Sequence, residues 1–288
     1  MAQPPDMSDA GELLAAFHPA VRLWFERRFD APSRAQVLGW PAIAAAQSGA
    51  GHDVLLCAPT GSGKTLAAFM WAINQLVVEA EQRVLSDEVT VLYVSPLKAL
   101  ANDIRINLEE PLVGVTQTAR GMGLEPTELR AGLRTGDTAA SDRAAMLRRP
   151  PHILVTTPES LFILLSSPRF RDKLTHLRYV IVDELHAIAD DKRGAHLMLT
   201  LERLERMVRR AGALRPLRIG LSATLNPIVT LASFLSGAEV SATGERRPRP
   251  VQIVRADEDV RADQLRFCLS CGDGVTRAAS IPSDPWRR

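Results

Sequence analysis

The stretch that most limits what this chain can fold into is Ala58-Pro59-Thr60-Gly61-Ser62-Gly63-Lys64-Thr65, set between an apolar run and a long helical pattern. Residues 53–58 are strand-length and apolar after Asp53, while 64–81 repeat their apolar positions at helical spacing. A glycine-rich turn in that setting lets several backbone N–H groups converge on one anion, and the helix that follows adds the positive end of its dipole. Thr60, Gly61, Ser62 and Gly63 would then wrap a phosphate. Lys64 would reach the outer phosphates of a nucleotide, and the Thr65 hydroxyl would hold Mg2+. The strict phosphate-loop pattern opens on Gly, and Ala58 stands in that place here.

The rest of the chain alternates in the same way. Strand-length apolar runs lie at 53–58, 90–95, 152–156, 179–183 and 217–222, with helical segments at 64–81, 97–109, 139–149, 159–166, 194–210 and 227–235. Continuous Val/Ile/Leu strands separated by helices predict an α/β fold, a parallel sheet covered by helices on both faces, with ligands gathered at the carboxyl ends of the strands. Leu13, Leu14, Phe17, Val21, Trp24 and Phe25 predict one amphipathic helix within an N-terminal helical segment, 1–30. The main domain is expected over 31–245. The run Glu245-Arg246-Arg247-Pro248-Arg249-Pro250 reads as a linker, so 246–288 is expected to be linker and a truncated or unrelated tail, with a single strand at 251–254.

A second chemical feature sits at a strand end. Tyr179-Val180-Ile181-Val182 runs into Asp183-Glu184-Leu185-His186. Next to a phosphate loop, Asp183 fits the holding of Mg2+, partly through water, and Glu184 fits the polarising of a water that attacks the terminal phosphate.

Composition narrows the classes. With 288 residues, 46% of them hydrophobic, the chain buries a real core, and its net charge of +2 neither demands nor excludes nucleic acid. Cys57, Cys268 and Cys271 are too few for a disulfide framework, and the Cys268/Cys271 pair has no second pair to complete a zinc site. The uncharged run 219–238 is studded with Ser, Thr, Asn and Pro, too polar for a membrane span. A soluble, cytoplasmic protein is expected. In the arginine-rich run 202–218, Glu202 with Arg206 and Glu205 with Arg209 stand four apart, which predicts a solvated helix.

These motifs resemble those of superfamily-two DExH helicases, and further stretches agree in order. Phe29, Pro32 and Gln36 resemble the adenine-reading Q-motif. Ser95-Pro96-Leu97-Lys98-Ala99-Leu100 resembles motif Ia, and Arg134-Thr135-Gly136-Asp137 the glycine motif after it. Thr156-Thr157-Pro158-Glu159-Ser160-Leu161 resembles motif Ib, and Leu221-Ser222-Ala223-Thr224 motif III. Segments 24–65, 134–138, 157–165 and 182–187 together are similar to the large helicase-related (Lhr) family, over about 17–260.

The resemblance implies a RecA-like, phosphate-loop NTPase domain with ATP and Mg2+ as cofactors. Catalysis would rest on Lys64, Asp183 and Glu184. Gln36 would read adenine. Pro96, Lys98, Thr135, Gly136, Thr157 and Pro158 would contact a nucleic-acid backbone, and His186, Ser222 and Thr224 would couple the ATP site to strand movement. It also implies single-stranded or partly duplex DNA as partner, no membrane, and a role in DNA repair. An RNA helicase of the same superfamily remains an alternative, as does a non-catalytic ATP-binding module. A guanine-reading switch protein would need an Asn-Lys-x-Asp motif, which this sequence does not contain. The family's motor has a second RecA-like domain carrying motifs IV to VI. None is recognisable after Pro250, so the resemblance implies a truncated motor with little activity of its own.

Overall fold

The run Asp53–Cys57 is buried at every position, so it needs a strand on each edge and a layer on each face. The computed structural model, which describes residues 7–82, 85–96, 104–125, 128–223, 227–240 and 244–256, supplies both. The strands are β1 (Asp53–Cys57), β2 (Val91–Val94), β3 (Ala131–Arg134), β4 (Ile153–Thr156), β5 (Tyr179–Val182), β6 (Leu217–Ser222), β7 (Ala238–Val240), β8 (Arg246–Pro248) and β9 (Val251–Arg255). Seven form one sheet in the order β3-β4-β2-β5-β6-β1-β9, and each described pairing in it is parallel. β7 and β8 make a separate antiparallel ribbon. The fold class expected from the alternation is the one observed.

The α-helices longer than one turn among the described residues are α1 (Met7–Ala15), α2 (Pro19–Arg28), α3 (Arg34–Ala45), α4 (Lys64–Glu81), α5 (Glu110–Gly121), α6 (Ala140–Arg148), α7 (Pro158–Ser166), α8 (Lys192–Arg210) and α9 (Ile228–Ser236). One face of the sheet is covered by apolar side chains of α2, α3 and α4, among them Phe25, Trp40, Phe69 and Ile73. The other is covered by α7, α8 and α9 through Leu161, Leu164, Leu201, Leu204 and Leu235. No helix among the described residues is long and apolar enough to cross a membrane.

The N-terminal segment departs from the single helix expected. α1 and α2 are separate, because Pro19 lacks an N–H to continue the ladder and His18 Nδ1 instead accepts the Ala20 N–H at 3.2 Å. The sheet also runs past the boundary expected at 245. β9 pairs with β1 from Asp53↔Val251 to Cys57↔Arg255, closing an edge that a buried strand cannot leave open. β3 and α5 gave no clear signal in the sequence. β3 is an edge strand with exposed positions, and Pro111, which looks like a helix breaker, sits in the first turn of α5 where it is tolerated.

The expectation of a solvated helix in the arginine-rich run is corrected in part. Arg203, Arg206, Arg209 and Arg210 are exposed, but Glu205 and Arg218 are 5% and 2% exposed. Arg215 binds the fully buried Asp53 through both carboxylate oxygens, at 2.8 and 2.6 Å. Arg218 reaches Glu202 and Glu205, each at 2.9 Å, and Arg249 reaches Glu202 at 2.6 Å. Four-residue spacing registers partners on one helix and not those on β1, β6 or the segment before β9. The network joins all of these at the amino end of β1, and its charges are tolerated because each is paired.

Candidate active site

In a parallel sheet the carboxyl ends of the strands lie together, and the register makes that edge level. Arg134 is opposite Thr156, Val94 opposite both Thr156 and Val182, Val182 opposite Gly220, and Cys57 opposite Ser222. The glycine motif, motif Ib, motif Ia, the acid pair, motif III and the phosphate loop therefore follow one another along a single edge, although they are scattered through the sequence.

The loop has the conformation its glycines predict. Gly61 and Gly63 have φ of +79° and +83°, values that side-chain-bearing residues adopt only with strain. At Gly63 a Cβ would lie 3.0 Å from Ser33 Oγ and 3.3 Å from Gln36 Nε2. Lys64 opens α4 and is buried. Ser62 Oγ is buried with no hydrogen-bond partner among the described residues. An orphaned hydroxyl inside a glycine loop fits a phosphate oxygen, and the donor set of this loop fits a nucleotide polyphosphate.

Asp183 is 4% exposed. Its Oδ2 accepts the Thr65 hydroxyl at 3.0 Å and the Tyr93 hydroxyl at 2.5 Å, and its Oδ1 accepts the Glu184 N–H at 2.7 Å. Thr65 thus gives its proton to Asp183 and keeps oxygen lone pairs for a cation, a hard-oxygen arrangement that fits Mg2+. Glu184 has φ of +48°, the only positive φ outside glycine among the described residues, a strained conformation of the kind that clusters at active sites. His186 Nε2 lies 3.2 Å from Glu184 Oε2, and its Nδ1 lies 3.3 Å from Ser222 Oγ and accepts the Ala223 N–H at 3.2 Å. His186 and Ser222 are therefore brought to the acid pair. Thr224 and Lys98 lie outside the described residues, as do Cys268 and Cys271.

Gln36 is 4% exposed and forms a capping box with Ser33, its Oε1 accepting the Ser33 N–H at 2.7 Å. Its amide nitrogen faces Gly63. One lone pair of the group expected to read adenine is thus engaged in holding the start of α3.

The residues expected to meet a nucleic acid divide into two groups. Gly136 is exposed, while Thr135 and Thr157 are half-buried, and both hydroxyls act in local turns. Thr135 Oγ1 accepts the Asp137 N–H at 3.3 Å, and Thr157 Oγ1 caps α7 at the Ser160 N–H at 3.4 Å. Pro96 and Pro158 are buried, so they shape the edge rather than face a ligand. Pro158 occupies the first turn of α7, where a missing N–H costs nothing.

Arg193, which the sequence gave no reason to single out, ties these loops together. Its Nε donates to Glu159 Oε1 at 2.7 Å and its Nη2 to the Pro96 carbonyl at 3.4 Å. Burial pushes the Glu159 carboxyl up, but the hydrogen bond and charge of Arg193 outweigh this and hold it below its ordinary range. Tyr93 was also missed. It sits inside an apolar run, and only the pairing of β2 with β5 brings it to Asp183.

A glycine loop bonded to an acid strand end on a parallel sheet defines a phosphate-loop NTPase of the RecA-like kind. The sequence pattern of the DEAD/DEAH box helicase family matches residues 34–231, and the chain belongs to that family. Within it the chain is 49% identical over 231 residues to the ATP-dependent helicase Lhr-Core of Methanothermobacter thermautotrophicus, covering 80% of this chain and 26% of the relative. It is 48% identical over 230 residues to the Lhr helicase/probable uracil glycosylase of Mycolicibacterium smegmatis, covering 80% of this chain and 14% of that one. The structure of the Mycobacterium smegmatis helicase Lhr bound to ssDNA and AMP-PNP superimposes with a TM-score of 0.72 at 46% identity, over 84% of this chain and 28% of that one. The chain thus spans about a quarter or less of the length of these curated relatives.

Proposed function

We propose that the chain is the ATP-binding half of an Lhr-type DNA helicase motor, binding ATP with Mg2+ at the glycine loop and a single DNA strand along the β3–β4–β2 part of the same edge. The observation that carries this reading is the 3.0 Å hydrogen bond from Thr65 Oγ1 to Asp183 Oδ2. It joins the phosphate loop to the acid strand end, 118 residues away in sequence, in one site.

The loop amides and Ser62 Oγ donate to phosphate oxygens, and Lys64 places its charge on the outer phosphates. Mg2+, when bound, supplies positive charge to the β- and γ-phosphate oxygens. Glu184, held by His186, takes the proton of the attacking water. Gln36 keeps its amide N–H groups and a second oxygen lone pair for the adenine edge, which favours ATP over GTP. On the DNA side, the exposed turn at Gly136 offers its backbone to phosphates, a contact that carries no base preference. A second motor domain that brings an arginine to the terminal phosphate is worth about 10³–10⁵ in rate in related enzymes. Without such a domain, turnover at this site should be very slow and strand separation absent. The likeness to Lhr helicases and His186 at the end of the acid motif favour DNA over RNA, with DNA repair in the cytoplasm as the setting.

Titration with a fluorescent ATP analogue tests the reading. ATP should compete far better than GTP, and only tight binding with Mg2+ agrees with the roles of Thr65 and Asp183. Single-stranded DNA should bind weakly and lose affinity steeply with salt. Equal competition by GTP, or Mg2+-independent binding, would reject it.

A further inference from the structure

Tyr93 lies on β2, three residues before Pro96, in a stretch that belongs to no helicase motif named above. Its ring is 2% exposed and stacks on Phe69 with centroids 4.7 Å apart and planes 28° from parallel. Its hydroxyl donates to Asp183 Oδ2 at 2.5 Å, within the range of charge-assisted O–H···O⁻ bonds. Phe69 and Thr65 stand four apart on α4 and so share a face, and Thr65 Oγ1 donates to that same carboxylate oxygen. Thr65, Asp183, Tyr93 and Phe69 are therefore linked in a chain of contacts that starts and ends on α4 and runs through the end of β5 and β2. We propose that Tyr93 is a positioning residue for the cation site: its hydroxyl, seated by Phe69, fixes the rotation of the Asp183 carboxylate and so sets how well the site takes Mg2+.

The lone-pair count gives the physical reason. A carboxylate offers about four acceptor positions, and Thr65, Tyr93 and the Glu184 N–H occupy three of them. The group cannot turn without breaking one, so its remaining position is held in one direction. Phenylalanine at 93 would keep the stacking and the burial while leaving Oδ2 with Thr65 as its described donor. The carboxylate could then rotate, and ordering it would fall to the cation. Outer partners of this sort change metal affinity by about 10–100-fold when removed.

This inference rests on the ATP and Mg2+ reading, and one experiment separates the two. The 288-residue chain and Tyr93→Phe are titrated with a fluorescent ATP analogue, first in EDTA and then at rising Mg2+, with circular dichroism as a check on folding. Tyr93→Phe should raise the Mg2+ concentration for half-maximal enhancement by about 10-fold, with metal-free nucleotide affinity unchanged, a split that loss of packing does not produce. An unshifted Mg2+ midpoint in a folded variant, or an equal loss with and without Mg2+, overturns the positioning role and leaves the nucleotide reading standing. Absence of any Mg2+ enhancement in the unsubstituted chain overturns both. Should Tyr93→Phe fail to fold, Phe69→Leu keeps the hydroxyl and unseats the ring. It should shift the same midpoint upward, and an unshifted midpoint there overturns the proposal.

Discussion

His186 is held between the acid pair and motif III: its Nδ1 accepts the Ala223 N–H at 3.2 Å while its Nε2 lies 3.2 Å from Glu184 Oε2. A backbone N–H can only donate, so Nδ1 carries no proton and Nε2 is the donor to Glu184. The ring thereby fixes one carboxylate oxygen of a residue whose backbone is itself strained, at φ +48°. Ala223, just after β6, is thus joined to Glu184 through a single side chain.

His186→Ala should therefore separate binding from chemistry. The Ala223 N–H loses an acceptor, which should lower unfolding free energy by about 1–2 kcal/mol. ATP-analogue affinity should hold, because Lys64, Thr65 and Asp183 are untouched. Single-turnover phosphate release should fall by about 10-fold or more as Glu184 loses its orientation. Undiminished release would remove His186 from the reaction.

Gly63→Ala meets two obstacles, a φ of +83° and a Cβ 3.0 Å from Ser33 Oγ. A loss of more than about 1 kcal/mol in stability is expected, seen by urea denaturation. Displacement of the loop should weaken nucleotide binding by about 10-fold. Affinity equal to that of the unsubstituted chain would show that the loop does not need this glycine to hold phosphate.

Asp53→Ala strips the buried partner from Arg215 and from the Arg218 N–H. Breaking one member of a buried ion network costs about 3–5 kcal/mol, so the thermal midpoint should drop by many degrees. Asp53 begins β1 and the phosphate loop follows its other end, so nucleotide affinity of protein still folded at low temperature should be unchanged. A small thermal shift would mean that Glu205 and Glu202 hold the arginines without it.

His152 gives the fold a pH dependence. It is 2% exposed and its Nδ1 accepts the Arg130 N–H at 3.1 Å. Burial first, and then the Arg130 charge, push its pKa down to about 4. In the unfolded chain it titrates near 6.5, so between these values the unfolded state binds the extra proton. Its contribution to stability is complete above about pH 6.5 and is lost as pH falls toward 4. From pH 7.5 to 5 the loss from this group is about 2 kcal/mol. Urea unfolding at the two pH values should show His152→Gln less acid-sensitive by about that amount, and parallel slopes would exclude this role.

Where local chemistry is enough, the sequence determined the outcome. Gly61, Gly63 and Lys64 make a phosphate loop because glycine alone enters positive φ freely and because a helix must begin where Lys64 stands. The buried strands are legible because unbroken Val/Ile/Leu runs have few other places to go. The acid pair is legible because Asp183 and Glu184 follow such a run. Only the tertiary structure decided which distant groups meet. Tyr93 and Asp183 touch because β2 pairs with β5. Arg193 joins Pro96 to Glu159 because α8 lies beside α7. Arg215 is drawn into the protein by Asp53, although Leu214 just before it is exposed. β9 belongs to the sheet because β1 had an open edge, although the charged run before it reads as a linker. Periodicity reports one element at a time, whereas hydrogen bonding and burial are settled between elements, and that difference separates what the sequence shows from what the fold adds.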